Sequence, residues 1–249
     1  MRIAVCLKRV PDTTAKIVVA PDGKSIDEAG VKFVPNPYDE YALEEALKLR
    51  EAAGGGETVV YSLGGDAAQE TIRTALAMGI DRGVLLQATA GADGLEVARA
   101  LARELKEGGF DLILFGKLAV DDYNHQVGVM VAELLGLPCV TAVAHLTLAN
   151  GALEAEREVE GGVEVVGASL PAVLTCDKGL NTPRLPSLKG IMAAKKKPLE
   201  VKPAALGAGS VTILGLSLPP ERKAGQIVGE GADAVPALVR LLRDEAKVI

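Results

Sequence analysis

The sequence predicts an α/β protein built on a mostly parallel sheet with helices on both faces, of the Rossmann-like, nucleotide-binding kind. Three observations carry that expectation. Between residues 58 and 135, short apolar runs alternate with stretches of helical period, the order that generates βαβ units. Glycines stand where the period changes, at Gly54-Gly55-Gly56, Gly64-Gly65 and Gly116. The chain also has 249 residues, 49% of them hydrophobic but only 3% aromatic, which gives one large domain an aliphatic core.

The elements follow in order. Arg2 to Leu7 reads as a buried strand, too short for a signal peptide. Lys16 to Ala20, the Pro21-Asp22-Gly23 turn and the residues after Ser25 suggest a small hairpin excursion. Pro35-Asn36-Pro37 is a stiff loop, since each proline removes a donor and restricts its neighbour. It feeds a helix from about Tyr38 to Ala53, ended by the glycine triplet. Strands then fall at Thr58–Leu63, Arg82–Gln87 and Asp111–Phe115. Helices reach through Ala77, span Gly94–Lys106, and run from near Asn124 to Leu135.

After Pro138 the period shortens to two. Cys139–Thr147, Leu153–Val159 and Val163–Leu170, separated by Asn150-Gly151 and Gly161-Gly162, read as antiparallel strands added to the sheet. Ala172–Cys176 reads as another buried strand. Residues 177–198 show no period, and one short strand is expected at Val211–Leu216. A polar, Gly-rich stretch from Pro219 precedes an amphipathic helix, about Ala234 to Lys247, with Pro236 in its first turn. The organisation expected is a nucleotide-binding domain over residues 1–200 and a C-terminal extension, or arm, over 201–249.

In open parallel sheets, ligands bind outside the carboxyl ends of the strands. Three loops can meet there, after Leu7, Leu63 and Phe115. The third is the most telling: a strand, Gly116, an acid-rich segment and a helix start. Free N–H groups and the helix dipole favour an anion at such a start, and the reading places a phosphate near Asn124 to Val127. His125 is a candidate donor to it, whereas His145 lies inside a strand and reads as structural. The competing reading is an ordinary βα loop capped by Asp121 or Asp122. Two acids beside a phosphate would repel it unless they face away or hold a cation.

Other classes find little support. The motif is neither a P-loop nor a dinucleotide fingerprint, and no HExxH, CxxC or Cys-His pairing offers a metal or catalytic centre. A net charge of −6 gives no general support for nucleic acid. No apolar run reaches the ~18 residues that suggest a membrane span. Cys6, Cys139 and Cys176, odd in number and set among apolar residues, suit reduced thiols in a cytoplasmic or matrix-like compartment.

Asn181 to Lys197 reads as a loop from its prolines and glycine, yet carries Leu185, Leu188, Ile191 and Met192 beside three lysines. Apolar tips next to a basic run fit a docking element, with the lysines steering an acidic surface. The alternative is a packed Ω-loop with solvated lysines.

Five pieces in this order carry a family resemblance: Ala4 to Asp12, Asn36 to Glu40, Gln69 to Gly79, the Gly116-Lys117 loop with Gln126 and Gly128, and Asn181 to Lys197. Along essentially its whole length the chain resembles the β subunit of electron transfer flavoprotein. The resemblance implies a heterodimer with an α subunit. This carrier takes electrons from acyl-CoA and related dehydrogenases, as in fatty acid oxidation, and passes them to a membrane quinone oxidoreductase. It implies FAD held mainly by the α subunit and a structural AMP held by this one, with no bond-making chemistry of its own. The AMP positions carried over are Cys6, Asn36, Pro37, Tyr38, Asp39, Leu63, Gly116, Lys117, Leu118, Ala119, Val120, Asp121, Asp122, Tyr123, Asn124, His125, Gln126 and Val127. Leu188 takes the place of the family's anchoring leucine, and the last helix becomes an arm around the α subunit.

Two departures stand out. Val127 follows Gln126 where relatives often carry a threonine, which shifts more of the phosphate binding onto N–H groups and His125. Thr13 stands where relatives carry an aromatic near the flavin. The run Asn124-His125-Gln126-Val127-Gly128-Val129 differs from that of bifurcating members, which bind a second FAD in place of AMP. The alternatives left open are such a bifurcating homologue and a homo-oligomeric, nucleotide-binding or ATP-cleaving protein of related fold.

Overall fold

The computed structural model describes residues 1–88, 91–221 and 224–249. Its centre is a nine-stranded sheet. The elements in chain order are β1 (Arg2–Cys6), β2 (Arg9–Pro11), β3 (Phe33–Pro35), α1 (Pro37–Ala52), β4 (Glu57–Gly64), α2 (Ala68–Met78), β5 (Arg82–Gln87), α3 (Gly94–Lys106), β6 (Leu112–Gly116), α4 (Val127–Leu135), β7 (Cys139–Ala149), β8 (Ala152–Val159), β9 (Gly162–Ser169), β10 (Ala172–Cys176), α5 (Leu188–Ala194), β11 (Leu199–Pro203) and α6 (Val235–Arg240). The strand order is β11-β5-β4-β1-β6-β10-β7-β8-β9. All pairs from β11 to β7 are parallel, and the β7–β8–β9 meander is antiparallel. The predicted fold class holds.

Alternation along the buried strands explains the two-faced core. Ile3 and Val5 of β1, with Leu114 and Leu174, join Leu43, Leu47, Ile72 and Leu76 from α1 and α2. Ala4, Val59, Val84, Ile113 and Val173 point the other way, onto Leu101 and Leu105 of α3 and Val131 of α4. Each of α1 to α4 therefore buries one stripe, and each strand of the sheet's middle is apolar on both faces.

Several expectations are corrected. The helix expected near Asn124 begins at Val127, because Tyr123 and His125 hold positive φ (54° and 55°) that no helix accommodates. The 177–198 stretch contains α5, which Ser187 caps by accepting the Gly190 N–H at 3.0 Å. An edge strand is β11, paired with β5; Val211–Leu216, though rich in apolar β-formers, pairs with no strand among the described residues. β11 itself spans Leu199–Pro203.

The hairpin excursion has its Val19–Ile26 bridge, and Arg9–Pro11 pairs with Phe33–Pro35 at its base. The last helix is irregular, a 3₁₀ turn at Ala232–Ala234 followed by α6 and a π turn at Leu241–Glu245. Residues 222 and 223 of the expected polar stretch lie outside the described residues. Beyond β11 the extension is tied to the body by bonds that include Ala204 N–H to the Gln87 carbonyl, Ser210 N–H to Asp93 and Leu216 N–H to the Gly23 carbonyl. Leu214 and Ile227 stand almost fully exposed along it. No described helix is long and apolar enough to cross a membrane.

Candidate functional site

The loops after β1, β4 and β6 converge beside the N-termini of α3 and α4, around a cavity of about 180 Å³. Cys6, Tyr61, Leu63, Val97, Leu101 and Phe115 give it apolar walls; Lys8, Asp39, Ser62, Asp122, His125 and Gln126 supply polar lining. A site of this make-up, apolar with a few convergent polar groups, suits a small ligand.

Asn36 and Asp39 tie the loops around the cavity together. Asn36, almost wholly buried, donates to Asp39 Oδ1 at 2.9 Å and to the Leu118 carbonyl at 2.7 Å, and its own oxygen accepts the Val120 N–H at 3.1 Å. Asp39 accepts the Lys8 N–H at 2.7 Å and the Gly116 N–H at 3.0 Å. One short segment at the start of α1 thus fixes both the β1 loop and the β6 loop. Pro37 and Tyr38 form the first turn of α1 that presents Asp39.

Burial pushes the Asp39 carboxyl up from its ordinary 3.8 to about 7, against the opposing pull of its N–H donors and the Lys8 charge. The proton this carboxyl keeps in the folded state is one the unfolded chain has already released. Its contribution to stability is therefore full below pH 4 and lost as pH rises to about 7. Urea midpoints of wild type and Asp39→Asn, compared from pH 4 to pH 8, should show the wild-type advantage shrinking across that window. A constant difference would mean the carboxyl stays ionised throughout.

The two acids of the β6 loop do hold a cation. Lys8 Nζ lies 2.8 Å from Asp121 and 2.9 Å from Asp122. Asp122 also accepts the Asn124 N–H at 3.0 Å, and Tyr123 donates its N–H to the Ala119 carbonyl at 2.9 Å. This braces a loop that carries left-handed residues at Tyr123 and His125. Gln126 then begins α4 without capping it by its side chain, leaving the first-turn N–H groups without intrahelical acceptors. Gly94 opens α3 just opposite: a Cβ there would come within 2.5 Å of Gln126 Nε2.

Of the residues expected at a nucleotide, Cys6, Asp39, Leu63, Gly116, Lys117, Leu118, Ala119, Asp122, Asn124, His125, Gln126 and Val127 line the one cavity. Asn36, Pro37, Tyr38, Val120, Asp121 and Tyr123 do not. Asn36, Val120 and Asp121 act through the bonds above, and Tyr123 faces solvent. The Lys117 ammonium is engaged with Asp177 at 2.7 Å, which raises its pKa, and lies 5.5 Å from the Tyr38 ring.

Sequence reasoning missed Lys8, Tyr61, Ser62, Gly94 and Thr175. Tyr61 and Ser62 could have been found from their place at the carboxyl end of a central strand. The Ser62 hydroxyl is the sharpest of these, since it is buried and has no hydrogen-bond partner among the described residues. An orphaned donor lining a cavity is a vacancy in hydrogen bonding that a polar ligand can fill.

The segment 181–197 runs along α1 from Tyr41 to Glu51 and on to the C-terminal half of α2. Leu185, Leu188 and Met192 are 89%, 83% and 72% exposed, with Ile191 also at the surface. Lys195 and Lys196 are solvated, but Lys197 turns inward to the carbonyls of Leu76 and Ile80, and burial lowers its pKa. Among the described residues no cluster of His, Cys, Asp or Glu could hold a metal, and none of the three cysteines forms a disulfide.

Comparison with known proteins adds identity to this geometry. The electron transfer flavoprotein domain matches residues 24–206. The chain is 44% identical to the electron transfer flavoprotein subunit beta of Syntrophomonas wolfei, over all of this chain and 98% of that one. It is 43% identical to the same subunit of Bacillus subtilis over the whole of both chains, and 42% to that of Homo sapiens over 98% of each. The chain belongs to the electron transfer flavoprotein family, and the full-length relatives it matches are that family's β subunits.

Proposed function

We propose that this protein is the β subunit of a heterodimeric electron carrier, binding AMP as a structural ligand and docking acyl-CoA and related dehydrogenases through residues 181–197. Electrons would pass on to a membrane quinone oxidoreductase. The observation that supports the AMP reading is the cavity at the sheet's carboxyl edge, lined both by the Ser62 hydroxyl, without a partner among the described residues, and by the first turn of α4. The N–H groups of that turn, with His125 and Gln126, would hold a phosphate; the apolar walls would take the base and sugar. FAD, bound mainly by the α subunit, supplies the redox chemistry. This chain's residues bind, orient and dock, and a ligand that never turns over adds stability by mass action.

The exposed apolar side chains of residues 211–249 favour the heterodimer, with the extension packing on the α subunit. A helix as short and irregular as the last one is marginal alone and needs a partner surface.

Denaturing the purified complex and identifying the released molecules by mass spectrometry tests the reading. AMP in near-equal amount to the β subunit, with a single FAD per heterodimer, is the expected result. A second FAD in place of AMP would move the protein to the bifurcating type. ATP turnover by a homo-oligomer would replace the carrier reading altogether.

Lys8→Met gives a local check. Without the ammonium, Asp121 and Asp122 present uncompensated charge beside the phosphate position. AMP affinity, measured by calorimetry, should fall about tenfold at low salt and less at high salt.

A further inference from the structure

The apolar tips of residues 181–197 pose a physical question, because exposed leucines on an unpaired segment ordinarily collapse onto the nearest apolar surface. Here the chain just before them is fixed to α1. Asn181 Nδ2 donates to the Tyr41 carbonyl at 3.0 Å and to Glu45 at 2.9 Å. The Arg184 guanidinium spans two glutamates two helical turns apart. It meets Glu44 at 2.8 and 2.9 Å and Glu51 at 2.7 and 3.2 Å, while its N–H adds a bond to Glu44 at 3.0 Å. Glu44 is a nearly buried carboxylate, so this is a partly desolvated, bidentate pair rather than a loose surface contact.

The far end is fixed as firmly. Arg73 of α2 donates to the carbonyls of Ala194 and Lys197 at 2.6 and 2.8 Å, and Lys197 returns the favour to α2. Gly190 lies so close to the Ala77 carbonyl that no side chain fits there. Between these two anchorages Leu185 and Leu188 are held away from the body.

We propose that Arg184 is the positioning residue of the docking segment: its clamp on Glu44 and Glu51 holds Leu188 in binding geometry before the dehydrogenase arrives. The inference rests on the reading of residues 181–197 as the docking element. Preorganisation of this kind acts on association with the partner, because the ordering entropy is spent at folding and not at docking. It leaves the nucleotide cavity, at the other end of α1, untouched.

The test uses the intact heterodimer with AMP and FAD bound, and follows its reduction by an acyl-CoA dehydrogenase supplied with acyl-CoA. Arg184→Lys keeps the charge but loses the two-glutamate fork. Its KM for the dehydrogenase should rise about tenfold, with a much smaller change in maximal rate and with AMP and flavin content retained. Glu51→Gln, which removes only the exposed half of the clamp, should show a smaller rise. In the Leu188→Ala background, Arg184→Lys should add almost nothing, because there is no longer a leucine to position.

A normal KM in Arg184→Lys beside a raised one in Leu188→Ala would overturn the clamp and leave the docking segment standing. A normal KM in Leu188→Ala would overturn the docking reading, and the clamp with it. Loss of AMP or a collapse of Tm in both Arg184→Lys and Glu51→Gln would make the clamp a structural brace and overturn its positioning role.

Discussion

Gly116→Ala should yield a protein that holds no AMP and unfolds at markedly lower urea concentration than wild type. The added Cβ would sit 2.7 Å from the Tyr38 carbonyl carbon, 2.8 Å from the Asp39 nitrogen and closer still to Asp39 Oδ1. Two of these are backbone atoms in the first turn of α1, which cannot swing aside as a side-chain tip could. Either α1 or the β6 loop must retreat, and the Gly116 N–H bond to Asp39 is lost with it. Overpacking of this kind costs about 1–3 kcal/mol. The effect on the ligand is larger, because Asp39 also ties the β1 loop at Lys8, so both loops of the cavity shift together. Urea denaturation and chromatography of the released nucleotide check both parts. Full AMP content in a protein of normal stability would show that the loop tolerates the retreat.

Leu188→Ala should have the opposite profile. The side chain is 83% exposed, so stability and AMP content should be unchanged. Electron uptake from the dehydrogenase should suffer instead. Burying the leucine in a partner pocket is worth about 2 kcal/mol beyond alanine, which predicts a fall of roughly thirtyfold in kcat/KM. Stopped-flow reduction of the heterodimer measures it. Equal loss of bound AMP and of electron uptake would instead mean that the variant disturbs the fold.

The contrast between what the sequence disclosed and what it concealed has a physical pattern. The stretch from β4 to α4 was legible because each strand is apolar on both faces, each helix has one apolar stripe, and a glycine or loop separates them. Local chemistry there agrees with the tertiary outcome. The helix α5 was hidden because seven residues with Gly190 in their middle have little helical preference; Ser187, Arg73 and the backbone approach to Ala77 create it. The strand β11 was hidden for a related reason. Leu199–Pro203 alternates charge with apolar residues and ends in proline, a pattern that suits a sheet edge, whereas the more apolar Val211–Leu216 pairs with no strand among the described residues. Pattern measures willingness to form a strand, and pairing decides it.

The site divides in the same way. That the β1, β4 and β6 loops converge was readable from the alternation of strands and helices. That Asp121 and Asp122 are neutralised by Lys8 was not, because 113 residues separate Lys8 from Asp121. Nor could the left-handed turns be read, since no glycine marks either Tyr123 or His125. These turns start α4 at Val127, where its apolar spacing begins and not near Asn124 as expected, and keep Asn124 to Gln126 in the loop.

The placement of β10 bears on how the molecule is assembled in time. This strand is buried along its whole length and lies between β6 and β7, yet the ribosome delivers it only after the β7–β9 meander. Until residue 172 emerges, β6 and β7 each present an open, apolar parallel edge, and the two halves of the sheet have no strand to join them. Closure therefore waits on contacts that span some 60 residues between β6 and β10, which places it late and makes it slow relative to local pairing. The nascent chain passes through a stage with two sticky edges, the condition in which a growing α/β protein is most exposed to misassembly and most in need of a chaperone.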